Sequence, residues 1–206
     1  MNHPWKAVFL ARHGQTEWNV QRRRQGQLDS PLTDQGRTQA ARHAAMLRLH
    51  RIDVVFSSPQ GRARTTAQII ADHLDLPVVV ETELAEVHHG QWAGLSDEQI
   101  QASYPTEWQH RSRDLYLWRF PGGESYADAD ARAARALARI AAHPACRPLI
   151  VSHEMFNRML QRHLLRIDPH QALTNRHPND VVYEFDPYRC SRRTLSQPPD
   201  DTTDSG

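Results

Sequence analysis

Three short stretches hold side chains suited to handling a phosphate. Arg12-His13-Gly14-Gln15-Thr16 follows a brief apolar run. A neutral imidazole nitrogen is a competent nucleophile near pH 7, but a dianionic phosphomonoester repels attack until cations neutralise its oxygens. Arg12 is a permanently charged, bidentate donor suited to that task, and Gly14 lets the backbone turn sharply around an anion. Arg62 offers a second guanidinium near the start of a helix, where backbone N–H groups also favour anions. His153 closes Val151-Ser152-His153 and offers a second imidazole. Each group alone reads more simply as a solvated charge or a packed histidine. Together they need an architecture that brings them to one place.

Apolar patterning supplies one. Trp5–Ala11, Ile52–Phe56, Pro77–Val80, Pro148–Ser152 and Val181–Phe185 read as strands. Between them, Thr33 is placed to cap a helix carrying Ala40, Ala44, Leu47 and Leu49. Ser57-Ser58-Pro59 is placed to open another, through Ala63, Ala67 and Ile70. Glu124–Ala142 has a sustained apolar face at Tyr126, Ala129, Ala133, Leu137 and Ile140, and a further helix passes through Met155 and Met159. Alternating strands and helices predict an α/β fold: a single-domain, three-layer α/β/α sandwich with a mostly parallel central sheet, spanning residues 1–190. In such a sheet Arg12, His13, Arg62 and His153 all follow strand C-terminal ends, where ligands bind. Residues 81–123 form an irregular, aromatic and arginine-rich excursion that reads as a lid or substrate-selecting segment. Arg111, Arg113 and Arg119 are its candidate anion contacts, and Trp108, Tyr116 and Trp118 its candidate apolar lining, with lid packing as the simpler account of any one of them. The tail, 191–206, reads as polar and disordered.

The motifs resemble those of the histidine phosphatase superfamily, which includes the cofactor-dependent phosphoglycerate mutases. Arg12-His13-Gly14 is similar to its RHG motif, Asn19 with Gln25-Gly26 and Asp29–Gly36 to the phosphate-loop continuation, and Ser57-Ser58-Pro59 with Arg62 to the second motif. Leu84-Ala85-Glu86 with Gly90–Leu95 is similar to the acid-bearing segment, and Val151-Ser152-His153 to the second histidine. The resemblance implies a phosphoglycerate mutase-like fold and a phosphohistidine intermediate on His13. It makes Glu86 the general acid and base, and Arg12, Arg62 and His153 the ligands of the phosphoryl group. Asn19, Gln25 and Gly26 would add donors to phosphate or substrate. The segment after Glu86 and the chain length favour the phosphatase branch over a phosphomutase. A non-catalytic module that binds a phosphorylated ligand is the reading from another class. One departure stands out: the family usually has glycine after the second histidine, and here Glu154 follows. At a helix N-terminus it is expected to point outward.

Composition bounds the rest. In 206 residues, 39% hydrophobic and 24% charged with a formal net charge of +1, no whole-chain field draws nucleic acid or membrane. Arg22-Arg23-Arg24 is too short a run to change that. Cys146 and Cys190 lie far apart and form no CxxC pair, which fits a reducing, cytoplasmic compartment. No metal or organic cofactor is expected: His153-Glu154 lacks the second histidine of HExxH, since Asn157 stands there, and adjacent His88 and His89 would point apart. The expected partner is a small phosphorylated substrate, and the sequence is compatible with a homodimer.

Overall fold

The computed structural model describes residues 4–195. Its centre is one six-stranded sheet, and its helices fall on both faces. The strands are β1 (Val8–Arg12), β2 (Val54–Ser57), β3 (Val78–Val80), β4 (Pro148–Ser152), β5 (Val182–Asp186) and β6 (Ser191–Leu195), arranged β3-β2-β4-β1-β5-β6. β3, β2, β4 and β1 run parallel, while β5 and β6 are antiparallel. The four parallel strands include the three whose ends carry Arg12, Ser57 and Ser152, so those ends lie side by side.

Eight helices complete the described chain: α1 (Glu17–Val20), α2 (Asp34–Leu47), α3 (Gly61–Leu74), α4 (Asp97–Ser103), α5 (Pro105–Arg111), α6 (Tyr126–Ala141), α7 (Glu154–Leu165) and α8 (Pro169–Thr174). Alternation along β1 sorts its side chains. Phe9 and Ala11 pack with Ala44, Ala67 and Ile70 of α2 and α3, whereas Val8 and Leu10 pack with Ala133, Ile140 and Met159 of α6 and α7. Chain connections after β1 and β2 therefore lead to one face, and the connection after β4 leads to the other. A crevice opens where they part, at the C-terminal end of β4.

Local chemistry explains most of the boundaries. Thr33 caps α2 by accepting from the Gly36 N–H, and Ser125 with Asp128 closes a capping box on α6. Leu49 does not continue the apolar side of α2. The chain tightens into a 3₁₀ turn at Arg48–His50, each residue then rotates further about the axis, and Leu49 is left exposed. Ser57-Ser58-Pro59 does not open α3 either, because Ser57 ends β2 and helical structure starts at Gly61 after Gln60. The Asp29 carboxylate accepts from the Arg62 N–H at 3.3 Å instead, supplying from a distant loop the cap that the serines were expected to provide. The excursion is less irregular than expected: α4, with a Ser96–Gln99 capping box, and α5 lie within it. The tail is corrected as well. Residues 191–195 form β6, hydrogen-bonded to β5 in a hairpin, and the remainder of the tail, 196–206, lies outside the described residues.

Close approach of two loops is built on glycine. A Cβ on Gly14 would stand 2.2 Å from the Gly36 carbonyl oxygen, and one on Gly36 would stand 2.1 Å from that of Gln15. The loop carrying His13 is thus pressed directly onto the first turn of α2.

Buried histidines inside this frame make it sensitive to acid, three of them away from the His13–His153 pair. Burial lowers His43 to about 4 and His89 and His177 to about 3, from an ordinary value of 6.5. The unfolded chain takes up protons below pH 6.5 that the folded chain refuses until pH 3–4, so stability falls as pH drops through that window. Each histidine contributes up to about 1.4 kcal/mol per pH unit. The melting temperature is expected to fall by roughly 10 °C between pH 7 and pH 5. An unchanged melting temperature over that range would contradict this account.

Candidate active site

His13 leaves β1 with its N–H still on the ladder, donating to the Ser152 carbonyl at 2.9 Å. Asn179 holds its carbonyl from the other side through Nδ2 at 2.6 Å. The imidazole Nδ1 lies 2.8 Å from the Gly14 carbonyl, which can only accept, so Nδ1 carries the proton and Nε2 keeps its lone pair. Burial, followed by the charges of Arg62 and Arg12, pushes the His13 pKa well below 6.5. The ring is therefore neutral and oriented.

His153 faces it, with ring centroids 5.2 Å apart. Its Nε2 lies 2.7 Å from Ser58 Oγ and 2.9 Å from Gln60 Oε1, and Ser58 also bonds Gln60. Nδ1 of His153 is buried without a protein partner, which leaves that nitrogen for a ligand.

Arg62 is fixed by three ties to the loop after α1: Nη1 donates to the Leu28 carbonyl at 2.6 Å and to Asp29 at 3.0 Å, and Nη2 to the Gly26 carbonyl at 2.7 Å. Its Nε is buried and unpartnered, as is Nε of Arg12. Thr66 joins the same structure, accepting from the Gly14 N–H at 3.0 Å and donating to the Arg62 carbonyl at 2.8 Å.

Glu86 is buried at the N-terminus of α7. Its Oε1 accepts from the N–H groups of Val87 and Phe156, both at 2.9 Å, and Oε2 from Met155 at 3.4 Å. Burial nevertheless dominates and raises its pKa, against the lowering effects of those N–H groups and of Arg62. A carboxyl whose pKa burial raises, in the same crevice as a neutral imidazole, is the arrangement expected of an acid and a nucleophile. Arg132 braces the segment: it pairs with Glu124 at 2.9 Å and donates to the carbonyls of Glu83, Ala85 and Glu86.

The structure thus brings Arg12, His13, Arg62, Glu86 and His153 to one crevice. Other expected contacts are engaged elsewhere. Asn19 Oδ1 accepts from the Thr16 N–H in the capping box of α1, Gln25 donates to Thr16 and accepts from Ser30, and the Gly26 carbonyl serves Arg62. In the excursion, Arg119 is largely exposed and pairs with Asp128, Tyr116 bonds Asp130, and Trp108 and Trp118 pack on Trp92. Arg111 differs. Among the described residues its buried Nε has no hydrogen-bond partner; the guanidinium stands 5.5 Å from the Trp108 ring and is felt electrostatically by His89 and Tyr126. Arg23 and Arg24 are tied to Gly94 and Asp97, so the basic triplet forms no free patch. His88 and His89 do point apart, His88 to the Gly90 N–H and His89 to the Met155 sulfur.

Glu154 is corrected. It does not point outward: it reaches back to Arg12 and along α7 to Arg158. The expectation weighed only the helix dipole, whereas two guanidinium groups lie within reach. Ser58, Gln60, Asp29, Thr66, Asn179 and Arg132 were missed as site-building residues. Ser58 lies within the second motif and Asp29 and Thr66 beside motif residues, which was the available signal; for Gln60, Asn179 and Arg132 no local pattern existed.

The family model for the histidine phosphatase superfamily, branch 1, matches residues 8–197, and the chain belongs to that superfamily. Among its relatives, a probable phosphoglycerate mutase GpmB from Yersinia enterocolitica is 38% identical over 192 residues, covering 89% of this chain and 88% of that protein. Phosphoserine phosphatase 1 from Hydrogenobacter thermophilus is 37% identical over 120 residues, covering 58% of this chain and 57% of its own. Among solved structures, a mycobacterial glucosyl-3-phosphoglycerate phosphatase in complex with VO3 superposes with a TM-score of 0.78 at 32% identity, covering 87% of this chain and 92% of that one. Superfamily members are phosphatases and phosphomutases acting on small phosphorylated substrates, and this chain is an enzyme of that kind. Among the described residues, no helix is long and apolar enough to cross a membrane.

Proposed function

We propose that the protein is a phosphomonoester hydrolase working through a phosphohistidine on His13. The observation that carries this reading is the Nδ1 bond to the Gly14 carbonyl, which leaves Nε2 as the ring's one available lone pair, beside two arginines. Nε2 attacks phosphorus, the ester P–O bond breaks, and the leaving oxygen takes the proton of the Glu86 carboxyl. Arg12 and Arg62 carry the charge of the phosphoryl group during transfer, while His153, neutral and with its Nε2 proton directed at Gln60, can offer Nδ1 only as an acceptor to a protonated phosphate oxygen. Glu86, now a carboxylate, takes a proton from water as the water oxygen bonds to phosphorus and the P–N bond breaks, its electron pair returning to Nε2 of His13. Inorganic phosphate leaves, and both His13 and Glu86 return to their starting forms. A carboxylate or second phosphate on the leaving group would meet Arg111, whose Nε is buried without a partner among the described residues.

Phosphomutase activity is the second reading, favoured by the name of the Yersinia relative. Purified protein with EDTA, offered p-nitrophenyl phosphate, phosphoserine and 3-phosphoglycerate, is expected to release phosphate as fast as without EDTA, because Arg12 and Arg62 neutralise the phosphate here. Activity lost in EDTA and restored by a divalent cation would refute the metal-independent mechanism. Isomerisation of 3-phosphoglycerate without phosphate release would establish the mutase.

A further inference from the structure

Glu154 is the first residue of α7, directly after His153. Its Oε2 lies 3.1 Å from Nη1 of Arg12, and its Oε1 lies 2.9 Å from Nη2 of Arg158. Apart from Glu154, Nη1 of Arg12 donates to the His177 carbonyl at 3.3 Å, a long bond. Arg158 is anchored independently through Nη1, which donates to the Leu173 carbonyl at 2.8 Å, and so can hold the carboxylate by itself. Room for movement exists: Arg12 and Glu154 line a cavity of about 300 Å³ together with Gln39, Arg176 and Asn179. The carboxylate is half-exposed rather than packed, with 28% of its side-chain surface accessible.

We propose that Glu154 is a built-in competitor for the phosphate group, its carboxylate holding Arg12 in the ligand-free enzyme, passing to Arg158 when a phosphoryl group arrives and returning as inorganic phosphate leaves. This rests on Arg12 being a phosphate ligand, as argued above. The carboxylate and the phosphate dianion are both acceptors for the same guanidinium and repel one another at short range, so each weakens the other's hold. The penalty falls on any phosphate. It weakens ester and inorganic phosphate alike, so it leaves the ratio of their affinities unchanged and shortens the residence of the product. Glu154 is on this account a positioning residue that sets phosphate affinity through Arg12. Glycine at this position could do none of this.

The test is calorimetric titration of inorganic phosphate and of orthovanadate into wild-type protein and the Glu154→Gln and Glu154→Gly variants, with melting curves to verify that each is folded. Both variants are expected to bind phosphate about tenfold more tightly. A residue needed only for structure would weaken binding when replaced, so a gain separates the two accounts. Arg158→Gln should shift affinity the other way, because Glu154 is then left to Arg12 alone, and that shift should vanish when combined with Glu154→Gln. Folded variants at position 154 that bind phosphate within twofold of wild type, or more weakly, would overturn the proposal. Wild-type protein that binds no phosphate would overturn the reading of the pocket itself.

Discussion

Replacing His13 by alanine is expected to lower turnover of every phosphomonoester by at least about 10³-fold, as loss of a covalent nucleophile does in other enzymes. The size of the effect follows from the geometry. His153 does not stand where His13 attacks: its Nε2 is committed to Ser58 and Gln60, and its ring centroid lies 5.2 Å from that of His13. The arginines stay in place, since neither Arg12 nor Arg62 is held by the His13 side chain. His13→Ala should therefore still bind phosphate while failing to react. Quenching wild-type turnover of a labelled substrate should trap label in an acid-labile, base-stable form, and the variant should trap none. Turnover within tenfold of wild type in the variant would remove His13 from the mechanism.

Glu86→Gln tests the other half of the chemistry. Glutamine keeps the shape, and its oxygen can still accept from the Val87 and Phe156 N–H groups that hold Oε1, but it has no proton to give. On an alkyl phosphate, whose leaving oxygen needs that proton, the expected loss is about 10²–10⁴-fold. On p-nitrophenyl phosphate, whose phenolate departs unprotonated, the first step should be nearly spared. pH supplies a second readout. Burial raises the Glu86 pKa above that of an ordinary carboxyl, so the acid form persists to higher pH and is lost as pH rises through the raised value. His13, pushed down, stays unprotonated well into the acidic range. The activity of wild type on an alkyl phosphate should accordingly decline on the alkaline side, and Glu86→Gln should flatten that decline. Equal losses on the two substrates, with the alkaline decline intact, would mean that Glu86 is not the acid.

Sequence alone determined five of the six strands, the helices α2, α3, α6 and α7, and the placing of Arg12, His13 and His153 at strand ends. The reason is that these depend on local properties. Apolar runs such as Val8-Phe9-Leu10, the Thr33 and Ser125 caps and the period of α6 act over a few residues, and a parallel sheet then aligns its strand ends by construction. Where local signals misled, a distant group had won: Asp29 capped α3 in place of the serines at 57 and 58, and β5 drew residues 191–195 into the sheet.

What only the tertiary structure decided is the chemical state of the site. Which His13 nitrogen is free depends on how its loop is pressed against Gly36, and the protonation of Glu86 depends on its burial against α7. The reach of Arg62 to Leu28 and Asp29, and the capture of Arg12 by Glu154, join elements far apart in the chain. Desolvation and charge pairing act through space, so a pKa or an ion-pair partner is settled only when the chain has folded around it.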